Sequence, residues 1–214
     1  MNDRYRRDHE LPYVSSTMPI LDFFWCKFWL RHLNKSLPFN LPKEWLIFKI
    51  IGIKHGKNCV IDYPFKAAIG KNIEIGDNLY CNTGCTFEDE GKITIGNDVF
   101  IGPNVTLCTA GHPVHYEARN TRYEYGIPIT IGNNVWLGAN VLVLPGVTIG
   151  DNTVIGGGSV VTKDIPANVV AVGNPCRVLR EIKDDEKQYF FKNRKFDDEA
   201  MKVVMSGENP SLFK

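Results

Sequence analysis

The stretch Ile131–Val160, IGNNVW LGANVL VLPGVT IGDNTV IGGGSV, repeats a six-residue unit five times. Each unit opens on an aliphatic leader, and these are Ile131, Leu137, Val143, Ile149 and Ile155. A period of six is too long for the alternation of one strand and too short for a helical repeat. It is typical of a parallel β-helix, in which each unit forms one flat side and stacking buries the leaders. Three sides make a coil of eighteen residues, which predicts that Ile131 and Ile149 lie above one another.

The same phase extends in both directions along the chain. Its further leaders are Ile69, Ile75, Cys81, Phe87, Ile95, Ile101, Leu107 and Val161. Two extra residues between Phe87 and Ile95 bring in an acidic insertion, Glu88-Asp89-Glu90, and the repeat disappears over Thr109–Pro128. Long segments within compact repeats are usually functional, so we interpret residues 109–128 as a functional loop. Because both irregularities fall in the middle coils, we expect them to converge in space.

The sequence flanking the repeats predicts three regions. Residues 1–52 form an N-terminal helical cap, residues 53–182 the β-helix with its loop, and residues 183–214 a C-terminal extension. The prolines near residue 40 divide the cap into two helices, the second over Lys43–Ile51. The extension is expected to start with a short helix at Asp184 that carries Tyr189–Phe191 and then to continue as a tail.

Composition excludes several classes of partner. The 25 basic and 24 acidic residues give no reason to expect nucleic acid. The six cysteines lack paired zinc-type spacing, which favours buried reduced thiols and a cytoplasmic protein. The aromatic stretch Pro19–Leu33 is too short and too charged to span a bilayer. We expect it to dock on the β-helix or a neighbouring subunit; contact with a membrane surface is the less favoured alternative.

Two histidines of the loop, His112 and His115 in AGHPVH, are candidates for chemistry. Gly111 and Pro113 restrict the backbone around His112, and a neutral imidazole is a natural general base near pH 7. A surface histidine without a role fits the residue types equally well. A metal site with Glu117 or the acidic insertion is disfavoured, because this spacing in a loop does not impose ligand geometry. No metal is expected.

Three cations gather near the end of the repeats. Lys163 follows the last hexapeptide, and Arg177 and Arg180 lie in GNPCRVLR, residues 173–180. Cations beside glycine-rich turns suit phosphate groups, which arginine can bind in bidentate fashion. An ordinary solvated charged face is the alternative that composition leaves open.

Together these runs resemble a known family. TAGHPVH (109–115), PITIGNNVWLG (128–138), PGVTIGDN (145–152), VVTKDIPANVV (160–170) and GNPCRVLREI (173–182) carry the resemblance. From about residue 52 to 182 the chain resembles the hexapeptide-repeat acyltransferases, and among them the maltose and galactoside O-acetyltransferases. The resemblance implies a left-handed β-helix, acetyl-CoA as co-substrate, a carbohydrate acceptor, and a homotrimer with active sites in the grooves between neighbouring subunits.

The resemblance also implies roles for residues around the acceptor. His112 matches the catalytic base, and Asn82 matches an asparagine that lies against the acceptor and the reacting centre. Asp89 and Glu90 occupy the place of acceptor-binding carboxylates, and which of the two is used stays open. Glu124 matches a loop position that varies with the acceptor.

A second set of matched positions concerns the coenzyme. The pantetheine arm is expected to lie along Trp136, Gly138 and Ala139 and to continue past Gly157 and Thr162. The adenine and phosphates are expected near Lys163, Arg177 and Arg180.

The departures from the family concern the acceptor. No carboxylate lies between Glu10 and Asp22, where related enzymes place one on the sugar, and Ala68 replaces a polar residue. Fewer sugar contacts favour a ring other than galactose or maltose. The sequence therefore predicts an acetyl-CoA-dependent O-acetyltransferase that acts on a saccharide hydroxyl. The alternatives are a non-sugar acceptor, such as serine or an antibiotic, and a non-catalytic β-helix scaffold.

Overall fold

The computed structural model describes residues 13–14, 20–33 and 48–207. Short strands form three sheets, which are the three faces of a parallel β-helix, and the strands of successive coils pair in parallel. The first face contains Lys54–His55, Ile73–Ile75, Ile93–Ile95, Ile129–Ile131 and Thr148–Ile149. The second contains Val60–Ile61, Tyr80–Cys81, Phe100–Ile101, Trp136–Leu137, Val154–Ile155, Val169–Val172 and Arg177–Glu181. The third contains Lys66–Ala67, Thr86–Glu88, Thr106–Cys108, Leu142–Val143 and Val160–Val161.

The predicted leaders stack in columns and fill the interior of the coil. Ile131 pairs in register with Ile149 above it and with Ile95 below it, which confirms the prediction of an eighteen-residue coil. The other two faces repeat this arrangement with the columns Ile101, Leu137, Ile155 and Leu107, Val143, Val161. These side chains are between 0% and 2% exposed, so the repeat forms one continuous apolar core.

Asparagines at one corner of the coil explain the polar half of the repeat. Asn134, Asn152 and Asn168 have φ angles of 55°, 56° and 61°. This left-handed region is one that asparagine tolerates better than most residues. The amide of Asn134 donates to Asn152 Oδ1 at 2.9 Å, and that of Asn152 donates to Asn168 Oδ1 at 2.9 Å. The corner is therefore held by a ladder of side-chain hydrogen bonds.

The prediction that Ile69 is a leader is wrong. Ala67 is the residue that pairs in register with Phe87, and Phe87 pairs with Leu107, each step being twenty residues. The first coil thus has a two-residue insertion of its own, at the same corner as the acidic insertion above it. Ile69 is buried at 5% exposure but lies outside the strands.

The two insertions are joined by a buried carboxylate. Asp89 is 0% exposed. Its oxygens accept hydrogen bonds from the backbone N–H groups of Ala68, Ile69 and Gly70 at 3.0, 2.8 and 2.8 Å. Burial raises the pKa of this carboxyl group, and these backbone donors act in the opposite direction. Asp89 is therefore part of the wall of the coil.

The N-terminal helix Ile20–Leu33 packs on the β-helix, as the favoured prediction had it. Cys26 and Leu30 are buried in the common core, and Cys26 Sγ contacts the carbonyl oxygen of Ala67 at 3.6 Å. The opposite side of the helix leaves Phe24, Trp25 and Phe28 exposed. No helix in the described ranges is long and apolar enough to cross a membrane.

The second predicted helix is described only over residues 48–51, and Gly52 follows it with a φ of +86°. Its expected start at Lys43 lies outside the described residues. The six cysteines are free thiols: Cys108 is partly exposed and the other five are buried.

Residues 181–214 form a separate compact unit, which is described to residue 207. A 3₁₀ helix, Asp184–Gln188, precedes an antiparallel hairpin of Tyr189–Phe191 and Arg194–Lys195, and the helix Asp198–Ser206 follows. The prediction that Tyr189–Phe191 are helical is wrong. Aromatic residues favour strands, and here a partner strand follows two residues later. The last helix was not predicted; Asp197 caps it by accepting from the backbone N–H of Ala200 at 2.8 Å.

Candidate active site

Residues 109–128, called here the excursion, are predicted as a loop but contain regular structure. The strands Ala110–Gly111 and Glu124–Gly126 pair antiparallel, and the short helix Tyr116–Asn120 lies between them in the chain. The strand Tyr13–Val14 pairs with the other edge of Glu124–Gly126, with Val14 opposite Glu124. The excursion is thus an ordered three-stranded sheet that includes the N-terminal segment.

The excursion lies against the acidic insertion, as predicted. Gly126 approaches Gly91 so closely that a Cβ on Gly126 would lie 2.4 Å from the backbone nitrogen of Gly91. Thr109 Oγ1 accepts from that nitrogen at 2.8 Å, and the Thr109 carbonyl accepts from the N–H of Ile127 at 2.9 Å. Glycine is needed here because no side chain fits between the two backbones.

The imidazole of His112 is held by the backbone of the excursion. Nδ1 lies 2.9 Å from the carbonyl oxygen of Tyr123. Since a carbonyl oxygen can only accept, the proton of the neutral ring resides on Nδ1, and Nε2 carries the lone pair. Nε2 lies 3.9 Å from Glu124 Oε1, and half of the His112 side chain is exposed. In this tautomer Nε2 is the ring atom that can accept a proton.

A cavity of about 420 Å³ opens beside this ring. It is lined by His112, Glu124, Arg119 and Arg122. The two arginines were not singled out from the sequence, because their place in the cavity depends on the fold of the excursion. The cavity joins a candidate base, a carboxylate and two guanidinium groups.

Glu90 is a second carboxylate next to the excursion. It is 9% exposed, and Oε2 is buried without a hydrogen-bond partner among the residues that the structure describes. Burial, followed by repulsion from Glu88, Glu124 and Asp89, raises the pKa of this carboxyl group to about 7. A buried oxygen with no partner is costly unless a ligand satisfies it.

The two acidic candidates are therefore not equivalent. The oxygens of Asp89 are occupied by three backbone N–H groups, and the side chain has no exposed surface. Asp89 is therefore less available to a ligand than Glu90, because the backbone of the coil already donates to both of its oxygens. Glu90 Oε2, by contrast, has no hydrogen-bond partner among the described residues.

Asn82 follows the strand Tyr80–Cys81 and is not among the residues that line the cavity. Its Oδ1 accepts from the backbone N–H of Thr83 at 2.7 Å. This bond orients the amide, and Nδ2 is the atom left to donate. In the single chain, Asn82 therefore does not line the same cavity as His112.

The residues matched to the pantetheine arm lie on consecutive coils. Trp136 is 55% exposed on the second face and pairs in register with Phe100, which is 47% exposed. A Cβ on Gly138 would lie 2.6 Å from the nitrogen of Gly157, so the two glycines let adjacent coils pack closely. The carbonyl of Ala139, at the same corner, accepts from the N–H of Gly158 at 2.8 Å. Phe100 was missed, although it occupies the same position of its hexapeptide as Trp136.

The predicted phosphate-binding residues lie in the last turn of the coil. Thr162 and Lys163 come directly after the strand Val160–Val161, and both are exposed. Arg177 and Arg180 are exposed on the strand Arg177–Glu181, which is the final strand of the second face. Arg177 also donates from Nη1 to the carbonyl of Cys176 at 2.7 Å.

The other loop histidine differs from His112. His115 stacks on Tyr116 with ring centroids 4.8 Å apart, and its Nδ1 lies 4.0 Å from Glu117 Oε2. It does not line the cavity. Within the described ranges, no group of three His, Cys, Asp or Glu residues is arranged to hold a metal ion.

Comparison with known proteins defines the class. Residues 128–163 match the family described as bacterial transferase hexapeptide (six repeats). The galactoside O-acetyltransferase of Escherichia coli K12 is 50% identical over 168 residues, which cover 78% of this chain and 83% of that protein.

Solved structures agree. A galactoside acetyltransferase in complex with coenzyme A superimposes with a TM-score of 0.82 at 46% identity, covering 86% of this chain and 92% of that one. A maltose O-acetyltransferase from Clostridium difficile 630 gives 0.75 at 42% identity, covering 80% and 92%. The chain therefore belongs to the hexapeptide-repeat acyltransferases, in the branch of the galactoside and maltose O-acetyltransferases, as the sequence predicted.

Proposed function

We propose that this protein transfers the acetyl group of acetyl-CoA to a hydroxyl group of a saccharide, with His112 as the general base. The observation that carries the proposal is the orientation of His112: its Nδ1 donates to the Tyr123 carbonyl, and its Nε2 lies 3.9 Å from Glu124, with which it lines the cavity. Support also comes from the relatives, which are named as galactoside and maltose O-acetyltransferases, one of them in complex with coenzyme A.

The geometry suits a direct transfer. The acceptor hydroxyl donates to Nε2 of His112, and this atom takes the proton as the acceptor oxygen forms its bond to the thioester carbonyl carbon. When the tetrahedral intermediate collapses, the carbon–sulfur bond breaks and the imidazolium returns the proton to the departing thiolate. The Tyr123 carbonyl stabilises the imidazolium because it accepts from Nδ1 throughout.

We assign to Asn82 the role of stabilising the negative charge that develops on the thioester carbonyl oxygen. Its Oδ1 is bound to the backbone N–H of Thr83, so Nδ2 is oriented to donate. Because Asn82 does not line the cavity around His112, we propose that a neighbouring subunit of a homotrimer supplies it. Exposed apolar side chains on the excursion and on the second face, Val114 at 95%, Tyr116 at 58%, Phe100 at 47% and Trp136 at 55%, support such an interface.

The remaining residues are assigned either to the acceptor or to the coenzyme. Glu90 and Glu124 accept hydrogen bonds from acceptor hydroxyls other than the one acetylated. The groove along Trp136 receives the pantetheine arm, and Lys163, Arg177 and Arg180 receive the phosphates of the coenzyme.

The reaction is tested by incubating the protein with acetyl-CoA and a panel of saccharides, with serine and an aminoglycoside antibiotic included. We expect saccharide-dependent release of the coenzyme thiol and a mass gain of one acetyl group on the saccharide. Thiol release with only serine or the antibiotic would mean that the acceptor is not a saccharide. No thiol release with any compound would favour a non-catalytic scaffold. Sedimentation equilibrium tests the assembly, since an active monomer contradicts the shared groove.

A further inference from the structure

The cavity beside His112 contains more positive charge than a neutral sugar requires. Arg119 and Arg122 line it together with His112 and Glu124. Within the described part of the chain, neither arginine forms an ion pair with a carboxylate. Glu124 Oε1 lies 3.9 Å from Nε2 of His112, so in the described structure the charge of neither guanidinium group is neutralised by a carboxylate.

Arg122 occupies a backbone position that disfavours it. It directly follows Thr121, the last capping residue of the helix Tyr116–Asn120, and has a φ of 61°. Helices commonly end on a left-handed residue at this place, and it is usually glycine or asparagine. The other described non-glycine residues with positive φ are asparagine or aspartate, apart from Lys192 in the separate C-terminal unit. An arginine kept in such a conformation points to a use for its side chain.

Arg119 is fixed in place beside it. Its Nη1 donates to the carbonyl oxygens of Pro113 and Val114 at 3.1 and 2.8 Å, which leaves its other N–H groups for a ligand. The backbone N–H of Arg122 in turn donates to the carbonyl of Arg119 at 2.9 Å. The two arginines are thus joined by local structure, and a guanidinium held in advance loses little freedom when it binds.

We propose that Arg122, with Arg119 beside it, binds an anionic substituent of the acceptor, a carboxylate or a phosphate ester, so that the physiological acceptor is an acidic saccharide. This rests on the proposed acetyl transfer. Guanidinium groups match the paired oxygens of both anions, whereas the oxygens of Glu124 suit the hydroxyls on the other side of the ring. The next residue along from Arg122, Tyr123, holds the base, so an anion bound here places the sugar within reach of His112.

The test compares three acceptors of similar size: a methyl hexoside, the corresponding methyl uronide and a hexose phosphate. For the wild-type protein we expect kcat/KM to be roughly tenfold higher for at least one anionic acceptor than for the neutral one, as one charge-assisted contact provides. The anionic acceptor with the higher kcat/KM, the uronide or the phosphate, identifies the anion as a carboxylate or a phosphate ester.

Two variants separate charge from backbone strain. Arg122→Asn removes the charge and suits the left-handed backbone, so it should fold well and lower kcat/KM for the anionic acceptor roughly tenfold more than for the neutral one. Arg122→Lys keeps the charge and should keep part of the preference. The KM for acetyl-CoA should not change in either variant.

Three results would overturn the proposal. Equal kcat/KM for neutral and anionic acceptors in the wild type would do so. So would a rise in the KM for acetyl-CoA in Arg122→Asn, because the guanidinium would then serve the coenzyme. Loss of thermal stability in Arg122→Asn with unchanged kinetics would mean that the cation only supports the helix end. If no saccharide is acetylated by the wild type, it is the proposed function that fails.

Discussion

The upper coils, residues 129–161, and the excursion, residues 109–128, follow each other in the chain and are built differently. In the upper coils all strands are parallel, and each leader is an aliphatic residue stacked on its equivalent eighteen residues away. In the excursion the strands are antiparallel, no position repeats, and the residues of the site are half-buried or exposed. The continuous apolar core therefore lies in the repeat, whereas the candidate base and the cavity beside it lie in the interruption.

The acidic insertion shows how the two regions are connected. Asp89 is used to close the wall of the coil, and the adjacent Glu90 keeps a buried oxygen without a partner in the described structure. Neighbouring carboxylates thus differ: one is bound by the backbone of the coil, and the other has an oxygen that no described residue binds. This contrast between repeat and interruption can be tested at four places.

The largest expected effect is on the core. Leu137 is 0% exposed between Ile101 and Ile155, so Leu137→Ala should lower the free energy of unfolding by about 2–5 kcal/mol. Glu117→Ala in the excursion, at a side chain that is 72% exposed, should stay within about 0.5 kcal/mol. Denaturant unfolding of both variants measures the difference. Similar losses would contradict the division of roles.

A smaller loss is expected at Asp89. Asp89→Ala leaves the buried backbone N–H groups of Ile69 and Gly70 without their acceptor, whereas the N–H of Ala68 keeps the Phe87 carbonyl at 3.1 Å. One such unpaired group already costs about 1–3 kcal/mol. The control is Asp151→Ala, which removes an exposed carboxylate that accepts from the backbone N–H of Asn133 at 2.7 Å, and should cost less. Thermal unfolding compares the two. Equal melting temperatures would show that Asp89 does not hold the wall.

Glu90 should make stability depend on pH. Its pKa is raised from 4.5 to about 7 in the folded protein, so folding favours the protonated form. Its contribution to stability is full below pH 4.5 and is lost as the pH rises to about 7. Glu90→Gln, which is neutral throughout, should therefore gain stability relative to wild type across this interval. A flat difference for Glu90→Gln would place its pKa near the ordinary value.

The smallest effect is expected at the end of the coil. Removing Lys163, Arg177 or Arg180 should raise the KM for acetyl-CoA by at most about fivefold, because exposed ion pairs contribute about 0.2–1 kcal/mol. The kcat should hardly change, since contacts far from the reacting carbonyl are equal in ground and transition states. Added salt should mimic the effect. If steady-state kinetics show no change in the KM for acetyl-CoA in any of the three variants, these cations form only a solvated charged face.

The two regions also differ in how far sequence predicts them. The register of Ile131 on Ile149 follows from a period of six, because each coil repeats the same contacts. Ile69 was predicted as a leader because it lies six residues before Ile75. The first coil has two extra residues after Ala67, so the leader is Ala67, which only its pairing with Phe87 reveals. In the excursion, resemblance identified His112 and Glu124. Arg122 was missed because its backbone angle and its place in the cavity arise only once the helix and strands have formed.

The central claim is that the excursion supplies the base, and turnover by His112→Ala tests it most directly. With an accepted saccharide, the rate of thiol release should fall by about 10²–10⁴-fold, the usual contribution of a positioned base. Acetyl-CoA binding, measured by calorimetry, should remain unchanged. His115→Ala is the matched control in the same loop, and it should keep near-normal turnover because His115 stacks on Tyr116 away from the cavity. Near-normal turnover by His112→Ala together with loss of turnover by His115→Ala would contradict the account.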